Sequence, residues 1–357
     1  RIYDTSPDAE TLIVVNCAGR TRSIIGAQSL LNADIPNTVV ALKDGTMGWL
    51  LAGQKLENKQ KYVAPPITPE GLELAIQGAK KVRDRFKIRT IDSKTLVNWK
   101  KEENERTLYI FDVRNPEEYA KDKIPSVPNI PGGQLIQETE IWATTLGARI
   151  VLVDDNAVRA TLTASWLLQM GWDVSIFEGG LEAFKSLETL FQNPKPPPQA
   201  SANFINPSEL NNMLSEGNSL LIDLGKSQGY RIGHIPGAWW AVRSRLQNAI
   251  LRIPQKSHLI FTSPDGLLAN LAAREATDYT TSKIFVLKGG TNAWKEAGFP
   301  LESGLGDLAD EIDDSWQKPY DSTQNLEENM LAYLSWEINL LREIELDGDH
   351  RFLLFGD

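Results

Sequence analysis

Val14-Val15-Asn16-Cys17-Ala18-Gly19-Arg20-Thr21-Arg22-Ser23 carries the only cysteine of this 357-residue chain. Residues 13–15 are β-branched and apolar between polar neighbours, a pattern that predicts a short buried strand. Ile24, Ala27, Gln28 and Leu31 then fall at helical spacing. A thiol between that strand and that helix faces unpaired backbone N–H groups and the positive end of the helix dipole. Arg20 and Arg22 add full positive charge beside it. All three effects favour the thiolate, which is the nucleophilic form. Cys17 is therefore the candidate catalytic residue. Ala18, Gly19, Arg20, Thr21, Arg22 and Ser23 are the candidate substrate-binding residues, since their amides and guanidinium groups suit a small sulfur-containing anion.

Working outward, the same pattern returns twice. After Cys17 come the helix, a strand at 38–42 and the turn Asp44-Gly45, with Trp49 four residues beyond Gly45. The second copy has a strand at 150–153, a loop from Asp154 to Arg159, a helix at 161–170, a strand at 174–177, Gly179-Gly180 and Phe184. The third has a strand at 259–262, Ser263-Pro264-Asp265-Gly266, a helix through Ala276, a strand at 284–287, Gly289-Gly290 and Trp294. Cys17 to Gly45 is 28 residues, Asp154 to Gly180 is 26 and Ser263 to Gly290 is 27. Matching intervals in three copies indicate a repeated α/β unit. Copies two and three also carry an upstream half: a strand at 108–111 leading to Asp112, and one at 220–222 leading to Asp223. Alternating strands and helices imply parallel sheets with right-handed crossovers. Copy one lacks the upstream half, and the chain starts at Arg1 rather than Met, which reads as an incomplete or processed end.

Composition bounds the function class. With 41% hydrophobic and 24% charged residues the chain reads as globular, with room for two to four domains. A net charge of −10 argues against nucleic acid as a partner. One cysteine excludes internal disulfides and fits a reducing, cytoplasmic setting. No apolar run is long enough to span a membrane, so no membrane partner is expected. The domain boundaries follow from the repeats and from composition. Residues 1–60 form the C-terminal half of a domain carrying the cysteine, and 61–87 a linker and helix. Residues 88–192 and 202–303 form two full domains with Asp154 and Ser263 in place of cysteine, separated by a Pro-rich linker at 193–201. Residues 304–357 form an acidic loop and an amphipathic helix, with Ser322 or Thr323 as its N-cap. Leu326, Met330, Tyr333, Ile338 and Leu341 make one stripe on that helix, a face for packing onto the repeats or for self-association as a homo-oligomer.

The residues now carry a resemblance. Asp223, the turn Gly233-His234-Ile235-Pro236-Gly237-Ala238, a strand–loop–helix and Gly289-Gly290 with Trp294 together resemble the rhodanese, or sulfurtransferase, domain. The Cys17–Ser23 stretch resembles the active-site loop of that family. Pro131-Gly132-Gly133-Gln134-Leu135 and Trp316-Gln317-Lys318-Pro319-Tyr320 resemble bacterial proteins built of several tandem rhodanese domains. The resemblance implies a fold class of α/β, with tandem rhodanese-like domains, each a parallel sheet flanked by helices, plus a C-terminal helical tail. It also implies that Cys17 takes a sulfane sulfur from thiosulfate or a similar donor as a persulfide. The sulfur would pass to cyanide or another thiophilic acceptor, including a thiol or a protein. No cofactor or metal is implied, because the sulfur rides on the cysteine itself.

Neither Asp154 nor Ser263 can form a persulfide, so copies two and three read as catalytically silent. Asp154-Asp155 reads as a solvated loop rather than a metal site, since no clustered His or Asp accompanies it. His234 in its Gly-His-Ile-Pro-Gly turn reads as a structural hydrogen-bonding residue. Two other classes compete with the transferase. A cysteine phosphatase needs five residues between Cys and Arg to wrap a tetrahedral phosphate, whereas four separate Cys17 from Arg22. A non-catalytic scaffold, inert for want of copy one's upstream half, is the other alternative.

Overall fold

The computed structural model of the chain describes residues 1–6, 8–191, 203–315, 319, 325–353 and 355. Two compact units emerge, one made of Arg1–Asn193 with Ser322–Asp357 and the other of Pro194–Asp321. The Pro-rich linker, the proposed caps Ser322 and Thr323, and residues 316–318 and 320 of the tail motif lie outside the described residues. Among the described residues, no helix is long and apolar enough to cross a membrane.

Copy one opens with α1 (Ile2–Thr5), β1 (Ile13–Val15), α2 (Thr21–Asn32), β2 (Val39–Ala41) and α3 (Gly45–Leu51). The two strands run parallel, with Ile13 opposite Val39 and Val15 opposite Ala41. Ile13 and Val39 face one way and join Ala27, Ile35, Ile2 and Tyr3 in a small core. The period of two turns Val14 and Val40 to the other face, where they are 49% and 41% exposed.

The helix expected within 61–87 leads into copy two. Residues assigned to a linker and helix form α4 (Pro69–Phe86), started by Thr68, which accepts the Gly71 amide, and by Pro69 in the first turn. Its Val82 and Phe86 enter the core of copy two, while Gly78 passes close to Ala33 of copy one. There follow β3 (Arg89–Ile91), α5 (Ser93–Lys101), β4 (Leu108–Asp112), α6 (Pro116–Lys121), α7 (Gly132–Gln137), α8 (Thr139–Trp142), β5 (Arg149–Val153), α9 (Val158–Gln169), β6 (Asp173–Phe177) and α10 (Gly180–Lys185). The sheet is all parallel in the order β3-β6-β5-β4. Strand β5 is buried on both faces: Ile150 and Leu152 join Phe86 and Leu167, while Val151 and Val153 join Ile124 and Phe184. Such two-sided burial is what a parallel sheet with helices on each face requires.

Copy three contains β7 (Asn203–Ile205), α11 (Pro207–Ser215), β8 (Ser219–Asp223), α12 (Ser227–Ile232), β9 (Trp239–Trp240), α13 (Leu246–Arg252), β10 (His258–Thr262), α14 (Leu267–Ala276), β11 (Lys283–Leu287), α15 (Gly290–Glu296) and β12 (Asp307–Leu308). Its parallel sheet has the order β12-β9-β8-β10-β11-β7. The acidic segment expected as a loop therefore adds an edge strand to this sheet. Its acids are tied down as well: the buried Asp310 accepts from the Val242 amide, and Asp313 pairs with Arg245 at 2.8 Å. A two-residue strand paired with a distant partner leaves no periodicity in the local sequence.

Equivalent strands compare directly across the copies. Each of β1, β5 and β10 precedes the loop, and each pairs on one side with the next strand, β2, β6 or β11. On the other side β5 pairs with β4 and β10 with β8, whereas β1 has no strand there among the described residues. The consequence is visible in burial. Val151 and Ile260, which occupy the place of Val14, are fully buried.

The tail helix α16 (Leu326–Asp347) starts at Asn325 and packs on copy one, where Met330 and Leu334 meet Met47. The expected stripe is only partly right. Met330 is buried and Tyr333 packs beside it, but Leu326, Ile338 and Leu341 are exposed. Beyond it, Phe355 packs edge-on against Phe86 of copy two, 5.2 Å between ring centres.

Candidate active site

The loop that follows each central strand rests on the turn that follows the next one. In copy one, the amides of Thr46 and Met47 donate to the carbonyls of Cys17 (2.9 Å) and Ala18 (3.0 Å). In copy three, Thr291 and Asn292 donate in the same way to Ser263 and Pro264, each at 3.0 Å. Both residues of the turn are left-handed in every copy: Asp44 and Gly45, Gly179 and Gly180, Gly289 and Gly290. The second must be glycine. A Cβ on Gly45 would collide with the carbonyl oxygens of Cys17 and Gly19, and one on Gly290 with that of Ser263. At the first position a Cβ would crowd Ala183 (2.7 Å) in copy two and Ala293 (2.9 Å) in copy three, whereas copy one has Gly48 at that place and carries Asp44.

The predicted site residues separate into distinct roles. Cys17 is half-buried, and its Sγ donates to the Ser23 hydroxyl at 3.4 Å, which in turn donates to the Arg20 carbonyl at 2.8 Å. Arg20 ends the loop and pairs with Asp44, Nε to carboxylate 3.8 Å. Thr21 is the first residue of α2, and its hydroxyl donates to Glu337 of the tail helix. Gly19 is buried between Met47 and the tail helix, and Ala18 packs with the same group. Arg22, on the first turn of α2, is exposed and donates to Gln134 of copy two at 3.5 Å.

The loops without cysteine show what the first loop position does. Asp154 is buried, not solvated as the sequence suggested, and only Asp155 is exposed, pairing with Arg159. The Asp154 carboxylate accepts from the amides of Ala157 (2.6 Å) and Ala160 (3.0 Å). Burial pushes its pKa up, and those two amides pull it down. Ser263 is also buried, and its hydroxyl accepts the Ala269 amide at 3.3 Å. Cys17, Asp154 and Ser263 thus each reach the residue six positions on, in the first turn of the following helix. There copies two and three have alanine, and copy one has Ser23. His234 is buried, its Nδ1 2.8 Å from the Tyr230 carbonyl and its ring stacked on Tyr230.

A cleft of about 450 Å³ opens beside the loop, walled by Arg20, Ser23, Ile24, Lys43, Asp44 and, from the tail helix, Ile338. Its rim carries two cations against one carboxylate, so an anionic ligand is favoured there. Among the described residues, no group of three or more His, Cys, Asp and Glu side chains could hold a metal ion. Sequence reasoning missed Asp44, Lys43, Glu337 and Tyr333. Asp44 had a signal, since it replaces a glycine at a left-handed position. The tail residues had none, because a helical stripe does not say which surface it meets.

Comparison with known proteins bears on these features. The sequence model of the rhodanese-like domain matches residues 94–187 and 206–297. A thiosulfate sulfurtransferase from Pseudomonas aeruginosa is 42% identical with a TM-score of 0.89, covering 100% of this chain and 67% of that one. A protein of unknown function from Rhodopseudomonas palustris is 24% identical over 29% of this chain and 86% of its own, with a TM-score of 0.25. A 3-mercaptopyruvate sulfotransferase from Escherichia coli is 19% identical over 33% of this chain and 59% of its own, with a TM-score of 0.28. No curated protein matches the chain. Two matched domains and a relative that aligns with every part of the chain lead to one conclusion: the chain belongs to the rhodanese family.

Proposed function

We propose that the chain is a sulfurtransferase that moves a sulfane sulfur from thiosulfate, or a similar anionic donor, through a persulfide on Cys17. The Cys17 thiolate attacks the outer sulfur of the donor, the donor S–S bond breaks and sulfite departs with the electron pair. A thiophilic acceptor such as cyanide then attacks the outer sulfur of the persulfide, and Cys17 leaves as the thiolate. Arg20 and Lys43 at the cleft draw in the anionic donor, and the Ser23 hydroxyl is within reach of the sulfur that gains charge. The observation that carries this reading is Asp154, whose carboxylate sits in copy two at the place of Cys17 and takes two backbone amides. That position in the fold is built to receive an anion. The name of the Pseudomonas aeruginosa relative supports thiosulfate as the donor.

The test is intact mass after exposure to thiosulfate. The chain should gain one sulfur, lose it to cyanide and gain none as Cys17→Ser. Asp154→Ala and Ser263→Ala should gain it as the parent does. A chain that takes up no sulfur would make this a scaffold; loss of uptake in either alanine variant would overturn the silent role of those loops.

A further inference from the structure

The tail helix α16 meets the one loop of the three that carries a cysteine. Its Tyr333 and Glu337 press on Gly19: a Cβ there would lie 3.1 Å from the Tyr333 ring and 3.4 Å from Glu337 Oε2. Across the loop, the same Cβ would lie 3.0 Å from Met47, which itself packs on Met330 and Leu334 of the helix. The equivalents of Gly19 in the other loops, Asn156 and Asp265, are half-buried and exposed. One oxygen of Glu337 accepts from the Thr21 hydroxyl, while the other is buried with no hydrogen-bond partner among the described residues. A buried, half-satisfied carboxylate costs stability, and it stands against a loop that must hold an anion.

We propose that Glu337 is a positioning residue for the Cys17 loop. Through Thr21 it fixes the first turn of α2, and against Gly19 it fixes the crest of the loop, so that the backbone is set before the sulfur arrives. The inference rests on the sulfurtransferase reading for its kinetic consequence but not for its structural one. Thr21 and Gly19 flank Arg20, whose carbonyl holds Ser23, so freeing either end loosens the partners of the sulfur. Arg20 also lines the donor cleft, so loosening this segment lowers kcat/KM as well as kcat.

The experiment compares Glu337→Ala, Glu337→Gln and Thr21→Val in the full chain by hydrogen exchange over residues 18–23 and by thiosulfate–cyanide kinetics. Glutamine keeps an acceptor for Thr21 and removes the charge. Thr21→Val cuts the same bond from the loop side and serves if the alanine variant fails to fold. Glu337→Ala and Thr21→Val should speed exchange of the loop amides and lower kcat/KM about tenfold. Glu337→Gln should restore both to near the parent values. Unchanged exchange in the alanine and valine variants overturns the proposal, as does a glutamine variant as loose as the alanine one. A loop that loosens in a parent chain taking up no sulfur would keep the positioning and sink the transferase. Sulfur uptake by the parent with an indifferent loop would do the reverse.

Discussion

Ser23 distinguishes the cysteine-bearing loop from its two relatives, which have Ala160 and Ala269 at that place. The fold evidently accepts alanine there, so Ser23→Ala isolates the chemistry of the hydroxyl from its packing. A hydrogen bond to a group that becomes charged is worth about 1.5–3 kcal/mol, equivalent to a fall of roughly ten- to a hundredfold in the rate at which cyanide discharges the persulfide, the step in which Cys17 leaves as a thiolate. Rapid-quench measurement of persulfide discharge on Ser23→Ala would show it, and an unchanged rate would mean the hydroxyl is a bystander. A second residue reports on copy three. Burial raises the pKa of Asp223 to about 6, against the Gly225 amide and His234, which pull it down. Below the unfolded value of 3.8 both states hold the proton. Between there and about 6 the native state keeps a proton that the unfolded chain has released, so stability falls as pH rises through this window. The ceiling is about 3 kcal/mol at about 1.4 kcal/mol per pH unit. Asparagine has no such proton. Denaturant unfolding of the parent and of Asp223→Asn from pH 4 to 7 should therefore show the parent losing ground to the variant as pH rises; a gap that stays flat would contradict the burial argument.

At the scale of elements, the turn after the second strand decides the shape of the loop after the first. Gly45→Ala would add a Cβ against the Cys17 and Gly19 carbonyls in a left-handed backbone, which alone costs roughly 1 kcal/mol. Gly180→Ala in copy two meets the Asp154 carbonyl only at 3.1 Å and should be milder. Thermal unfolding should rank the two variants in that order, and only Gly45→Ala should impair sulfur uptake. The turn was legible in the sequence because glycines recur at near-fixed distances from the loop. So were the strand–loop–helix units, where apolar periods and turn residues agree. What stayed hidden involves pairings between remote segments. Strand β12 has two residues and no pattern of its own, and α16 shows an apolar stripe that fits many surfaces. Arg22 shows the same limit at one position: its charge is plain in the sequence, but the helical turn that carries it to Gln134 is not.

For the molecule as a whole, copy one, copy two and the tail act as one body. Trp166 of copy two donates to Ser29 of copy one at 2.8 Å, and the chain end returns to copy two, where the Leu353 amide donates to Gln169 at 2.6 Å. The segments of this body are not contiguous, because the other unit, Pro194–Asp321, is encoded between them. During synthesis that whole unit is therefore made before α16 exists, and the cysteine loop stays without its contacts to Tyr333 and Glu337 until α16 has left the ribosome.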